Sequence, residues 1–170
     1  MALHNDLLEQ ARHLAKREMK RPRQASLRRS VSVAYYALFH LLTAEAVARM
    51  APRQPVGLRQ QMRRAFAHGE MMRVCKSFAQ GTLQSLAVST RRLIAGAIDP
   101  EIQAIAALFV ELQEARHRAD YDHSVSFIRA EALQNVIDVE QAFSAWQSVK
   151  DRPNATVFLA ALMLQGQWSK

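Results

Sequence analysis

Asp99-Pro-Glu-Ile-Gln-Ala-Ile-Ala-Ala-Leu-Phe-Val-Glu-Leu-Gln-Glu-Ala-Arg-His-Arg-Ala-Asp-Tyr-Asp-His123 is the stretch on which the fold turns. It starts as helices start, with Asp99 as N-cap, Pro100 in the first helical position and Glu101 beside the exposed amides. It then runs free of Gly and Pro, which predicts a helix to about Tyr121. At about 100° per residue, Ile105, Phe109 and Leu112 share one sector of roughly 60°, the stripe that faces a core. Arg116 falls inside that sector, and His123 returns to the direction of Ile105 wherever the helix persists that far. Arg118 points about 160° away from Arg116, toward solvent. Asp120 stands four residues past Arg116, within reach of its guanidinium, and Tyr121 sits beside the stripe.

The rest of the chain has the same character. Only 5 Gly and 5 Pro interrupt 170 residues, and no segment alternates as a strand does, so the fold class is all-α. A first helix is predicted over about residues 3–20, ended by Arg21-Pro22-Arg23. Ser26 is the predicted N-cap of a second helix reaching about Met50, apolar nearly all round from Val31 to Leu42 and therefore central. Pro52, Pro55 and Gly57 break the chain before a basic, amphipathic segment over 58–80, and residues 68–98 read as short helices joined by loops. After the helix from Asp99, Ser126 starts another to about Lys150, and Asn154 caps a last apolar helix to about Gly166. The expected architecture is a single domain over 1–170: an up-and-down bundle of four to five main helices, a partly irregular insertion around 55–98, and an extra C-terminal helix.

Composition bounds the function. At 49% hydrophobic the chain can bury a core. Its 23 basic against 15 acidic residues give a net charge of +8. Residues 1–100 carry 17 basic and 6 acidic side chains, and residues 101–170 carry 6 and 9. A basic half points to an anionic partner, nucleic acid first and a membrane surface second. Cys75 is the lone cysteine, which excludes an internal disulfide framework and a thiolate cluster. His4, His13, His68 and Cys75 lack metal-ligand spacing, so neither metal nor cofactor is expected. No apolar leader opens the chain. The uncharged runs Ser30–Ala44 and Pro153–Ser169 fall short of a span of about 20 apolar residues, so the expectation is a soluble, cytoplasmic protein.

Two regions carry candidate sites. Between Arg12 and Arg29 lie eight cations and one acid, with Arg21, Arg23, Arg28 and Arg29 around a turn where guanidinium groups could grip phosphates. Aromatic residues are missing from this run, so base stacking is not supported there. The other region is the helix end. Arg116, Asp120 and His123 form an i, i+4, i+7 stripe that suits metal-independent phosphodiester cleavage. The imidazole moves a proton near neutral pH, and the guanidinium neutralises charge growing on phosphate oxygens. The bland alternative is an ion pair and a histidine at a helix C-terminus, where both residue types are ordinary.

Leu112-Gln-Glu-Ala-Arg-His-Arg-Ala-Asp-Tyr-Asp-His123 resembles the signature of HEPN domains, a family of small helical bundles whose motif is an Arg, four to six residues, then a His. Arg118 satisfies it with four intervening residues and Arg116 with six, and the Ala-Asp-Tyr text resembles one branch of the family. Arg28-Arg-Ser-Val-Ser-Val-Ala-Tyr-Tyr-Ala-Leu-Phe-His40 is similar to the family's second helix, although Tyr35, Tyr36, Phe39 and His40 also read as core. His68-Gly-Glu-Met-Met-Arg-Val-Cys-Lys-Ser-Phe78 resembles the interhelical segment of larger members.

The resemblance implies a homodimer that joins two Arg/His helix ends in one composite cleft. It further implies a metal-independent endoribonuclease, used as a toxin or in defence, in which the ribose 2′-hydroxyl attacks the adjacent phosphate. His123 would be the general acid/base and Arg116 the phosphate stabiliser, with Arg118 as second candidate and Asp120 and Tyr121 completing the catalytic set. RNA, an antitoxin or a nucleotidyltransferase are the implied partners. The chain departs from the toxins that carry Arg-Asn-x-x-x-His-x-Tyr: His117 follows Arg116, and Ser124-Val125 follow His123, so the tyrosine modified in those toxins has no match. The alternatives are a non-catalytic module that binds RNA, a nucleotide or a partner protein, and a subunit whose C-terminal helix supplies a protein interface.

Overall fold

The computed structural model describes residues 2–168; Ser169, which closes the last uncharged run, lies outside them. Among the described residues all regular structure is helical: α1 (Leu3–Lys16), α2 (Gln24–Met50), α3 (Val56–Arg64), α4 (His68–Ala79), a 3-10 turn (Leu83–Ser85), α5 (Val88–Arg91), α6 (Pro100–Tyr121), α7 (Arg129–Val149) and α8 (Pro153–Trp168). The protein is an all-α helical bundle. Its residues gather into two compact units, one built from 1–40 and 108–144, the other from 41–107 and 145–170. Each takes part of α2 and α6.

In the first unit, Ala15, Leu27, Val31, Ala115, Ala119, Phe127 and Ala132 form a buried cluster, with Val125 and Leu133 packed against it. Alanine at 15, 115, 119 and 132 lets helix backbones approach closely, and dispersion acts over that short distance. Tyr35 and Phe109, both fully buried, meet with ring centroids 5.4 Å apart. Ser30, buried on α2, donates to the Ala11 carbonyl at 2.7 Å, which satisfies its hydroxyl.

The second unit has its own core, with Leu41, Leu42, Met71, Phe78, Trp146 and Phe158 fully buried. Phe78 of α4 and Phe158 of α8 pack edge to face at 4.9 Å. Thus α4, expected as part of an insertion laid over the bundle, instead contributes Met71, Val74, Cys75 and Phe78 to this core. Burial pushes the Cys75 thiol pKa far up, which leaves it inert. Gly81 ends α4 with φ +70°, and a Cβ there would stand 2.5 Å from the Gln103 side chain. The turn therefore demands glycine.

Several helix ends differ from expectation for physical reasons. α1 stops at Lys16 and not near residue 20, because other elements take up the polar groups of 17–23. Arg129 donates to the Glu18 carbonyl and to the Met19 carbonyl at 3.1 Å. The Glu18 carboxylate accepts from Ser26 Oγ at 2.8 Å and from the Arg23 amide at 3.3 Å. Ser26 is accordingly not an N-cap. α2 begins two residues earlier, with the Arg23 carbonyl accepting from Ser26 and Leu27.

α7 begins at Arg129 and not at Ser126, since the Glu131 carboxylate accepts from the Ile128 amide at 3.1 Å, half of a capping box. The segment expected over 58–80 is two helices separated by 65–67, where Phe66 is buried. Asn154 lies inside α8 and is no cap. Its amide ties down the chain before α6, accepting from the Ala95 amide at 2.8 Å and donating toward the carbonyls of Ala95 and Ala97 and the Asp99 carboxylate.

An 18-residue window of α2 has the length and hydropathy of a membrane span, which Ser30–Ala44 alone lacks, but 72% of that window is buried within the protein. Packing inside the chain takes up its apolar surface.

Phe109→Ala should remove about 3–5 kcal/mol of stability by leaving a cavity beside Tyr35, read as a lower urea midpoint with native-state helicity retained. Asp99 gives a second test. Burial opposes its charge, yet Arg152, 2.8 Å away, and Asn154 outweigh burial and hold its pKa below the ordinary value. A depressed carboxylate stabilises the fold above its unfolded pKa, and this contribution is lost as pH falls through the folded value. Stability should therefore decline below about pH 4, and Asp99→Asn should flatten that decline in urea titrations.

Candidate functional site

The α6 C-terminus leaves its last carbonyls without intrahelical partners. Arg28 of α2 supplies them. Its Nη1 donates to the carbonyls of Ala119 at 3.0 Å, Asp122 at 3.0 Å and, more weakly, Arg118 at 3.4 Å, while Nη2 donates to that of Val125. The same guanidinium lies over the Phe127 ring, 5.6 Å from its centroid. One helical turn earlier, Gln24 pairs with the Phe127 backbone, Nε2 donating to its carbonyl at 2.8 Å and Oε1 accepting from its amide at 2.9 Å. The turn closes on itself as the Asp122 carboxylate accepts from the Ser124 amide at 3.0 Å and from its hydroxyl at 2.5 Å. Those two bonds, which outweigh desolvation, hold the Asp122 pKa below its usual value.

This anchoring sets the places of the candidate residues. α6 ends at Tyr121, so His123 does not return to the direction of Ile105. It stands in the turn with its ring exposed. The backbone on both sides of it is pinned, and its side chain makes no hydrogen bond or ring contact among the described residues. Arg118 is exposed and borders a hollow of about 270 Å³ whose wall includes Ser126, Glu131, Gln134 and Asn135.

Arg116 sits elsewhere. The buried stripe of α6 continues through Ala115 and Ala119, not through Arg116, whose side chain at 20% exposure emerges at its margin. Its Nε lies 2.8 Å from Asp120 Oδ2 in an ion contact without hydrogen-bond alignment. Nη2 donates to the Tyr36 hydroxyl at 3.0 Å, and Cζ lies 5.6 Å from the Tyr36 ring and 5.7 Å from that of Tyr121. Burial opposes this charge, but Tyr36, Asp120 and Tyr121 outweigh it and raise the guanidinium pKa above its ordinary value. Ser32 Oγ donates weakly to Asp120 Oδ2 at 3.4 Å.

Arg116, Asp120 and Tyr121 are thus brought together, joined by Tyr36 and Ser32, while Arg118 and His123 are presented apart from them. The Tyr36 hydroxyl accepts from Arg116. The exposed His117 ring lies 5.1 Å from that of Tyr121. Ser32 carries no sequence signal beyond a polar residue on an apolar helix. Gln24 and Glu18 carry none, because their partners lie in distant or irregular backbone.

The four basic-turn arginines also separate. Arg21, Arg23 and Arg29 are exposed. Arg28 is not available to phosphate, because helix-end carbonyls occupy its donors. Among the described residues no group of three or more His, Cys, Asp or Glu side chains is gathered to hold a metal ion. No protein-family model, curated protein or solved structure matches the chain.

Replacing Arg28 by Gln should cost about 2 kcal/mol, the scale of charge-assisted hydrogen bonds, and speed amide exchange across residues 122–127. Arg29→Gln, one residue on but exposed, should stay within about 0.5 kcal/mol of the parent.

Proposed function

We propose that the chain is a HEPN-type, RNA-directed protein that cleaves RNA without a metal and acts as a homodimer. The observation that carries this reading is the α6 terminus, where a rigidly anchored turn presents the exposed His123 imidazole five residues after the exposed Arg118. This arrangement favours Arg118 over Arg116 as the phosphate stabiliser, because Asp120 and Tyr36 already engage Arg116. Arg116 then acts as a positioning residue that fixes the last turns of α6 against α2.

In the proposed step His123 takes the proton from the ribose 2′-hydroxyl as its oxygen attacks the adjacent phosphorus. The bond to the 5′ oxygen breaks, leaving a 2′,3′-cyclic phosphate. The leaving oxygen takes a proton from the same ring or from that of a second copy, and Arg118 neutralises charge on the non-bridging oxygens. A cytoplasmic setting, where RNA substrates are present, fits this reading.

A second reading, a non-catalytic module that binds RNA, is favoured by one feature: among the described residues no carboxylate or carbonyl orients the His123 ring, as a general base normally requires. The purified chain with single-stranded RNA in EDTA should yield cyclic-phosphate and 5′-hydroxyl ends. His123→Ala and Arg118→Ala should each slow the reaction about a hundredfold or more with the fold intact. Salt-sensitive binding without products would establish the second reading, and parental rates in both variants would remove the catalytic one.

A further inference from the structure

The arginines differ in how much of their charge the chain already uses. Arg12, Arg49, Arg73, Arg116 and Arg152 face carboxylates, and Arg28 and Arg129 hold backbone carbonyls. α3 is different. Its Arg59, Arg63 and Arg64 make no ion pair or hydrogen bond among the described residues, and neither does Arg53 in the turn before it. No acidic residue occurs from Ala46 to Gly69. Arg59 Nε is shielded from solvent and still lacks a partner.

α3 also contributes nothing to the core, for none of its residues is buried. Arg59 and Arg63 stand at i and i+4, an arrangement of like charges that weakens a helix. With Arg64 they occupy a sector of about 140°, while Leu58 and Met62 lie on the other side. A helix with no fully buried residue and a cluster of like charges gains stability when an anion neutralises it.

We propose that α3 is a docking helix for the phosphodiester backbone of RNA, a surface additional to the α6 terminus. This rests on the RNA-directed reading above. RNA is favoured over an anionic membrane because few apolar side chains are offered on the helix: Val56, at 69% exposure, and Leu58, at 49%, are exposed, and Met62 is half-buried. No aromatic residue occurs between residues 41 and 65, whereas interfacial helices lean on Trp, Phe and Leu. Backbone contacts of this kind position RNA without reading its sequence.

The test compares the full chain with an Arg59→Gln, Arg63→Gln, Arg64→Gln variant for binding of a labelled single-stranded RNA over a series of salt concentrations. Because α3 buries no residue, circular dichroism and melting temperature should match the parent. The variant should bind about tenfold more weakly or worse at low salt, and the slope of log K against log salt should be shallower by about two. Equal affinity and slope in the two proteins would overturn the inference and leave the α6 reading standing. Parental RNA binding lost in the variant, without cleavage by either protein, would support the inference while removing the catalytic reading. If the parent fails to bind RNA, both fall; binding to phosphatidylserine vesicles that disappears in the variant would then assign α3 to a lipid surface.

Discussion

One guanidinium organises the region where chemistry is proposed. Arg28 gathers the terminal carbonyls of α6 and the Val125 carbonyl beyond it, and its planar fork suits several acceptors arranged around a helix end. A lysine ammonium in the same place would offer a point charge without that geometry. Gln24, one turn earlier on α2, completes the anchor at Phe127. The end of α6 at Tyr121 and the turn holding His123 follow from these contacts, while the Glu131 carboxylate sets the start of α7. Phe127 belongs to the buried cluster with Leu27 and Val31, so the polar anchor and the apolar packing fix the same segment.

The net charge of +8 becomes more informative once the arginines are separated by use. Some neutralise carboxylates, and two terminate backbone segments. Among the exposed arginines without such partners are Arg21, Arg23 and Arg29 around the first turn, Arg118 near the α6 terminus, and Arg63 and Arg64 of α3. Charge counting treats these side chains alike. Their availability depends on which acceptors the fold places within about 3 Å.

Arg116 illustrates how packing redistributes roles. It lies between two tyrosine rings, beside a carboxylate and a phenol oxygen, and remains charged in partial burial because these groups replace lost water. Such an arginine secures α6 against α2 and has little capacity left for a substrate. Arg118, two residues on and on the opposite side of the helix, has no such obligations.

Much of the fold was legible in the sequence. The Asp99-Pro100-Glu101 start, the Ile105, Phe109, Leu112 stripe, the all-round apolar centre of α2 and the Arg116–Asp120 pairing are local, and helical periodicity determines them. The break at 17–23 and the role of Asn154 were not legible, because side chains from remote segments supply the competing hydrogen bonds; the break at 65–67 goes with the burial of Phe66, and the start of α7 with Glu131 at its third position. The candidate residues themselves were visible, but not their grouping. Sequence determined which residues could carry charge and protons and where helices would form, since both are set by residue type and short-range spacing. Tertiary structure alone decided that α6 stops before His123, that Arg28 is spent on carbonyls and that α3 is left with unpaired cations, because each outcome depends on partners distant in the chain.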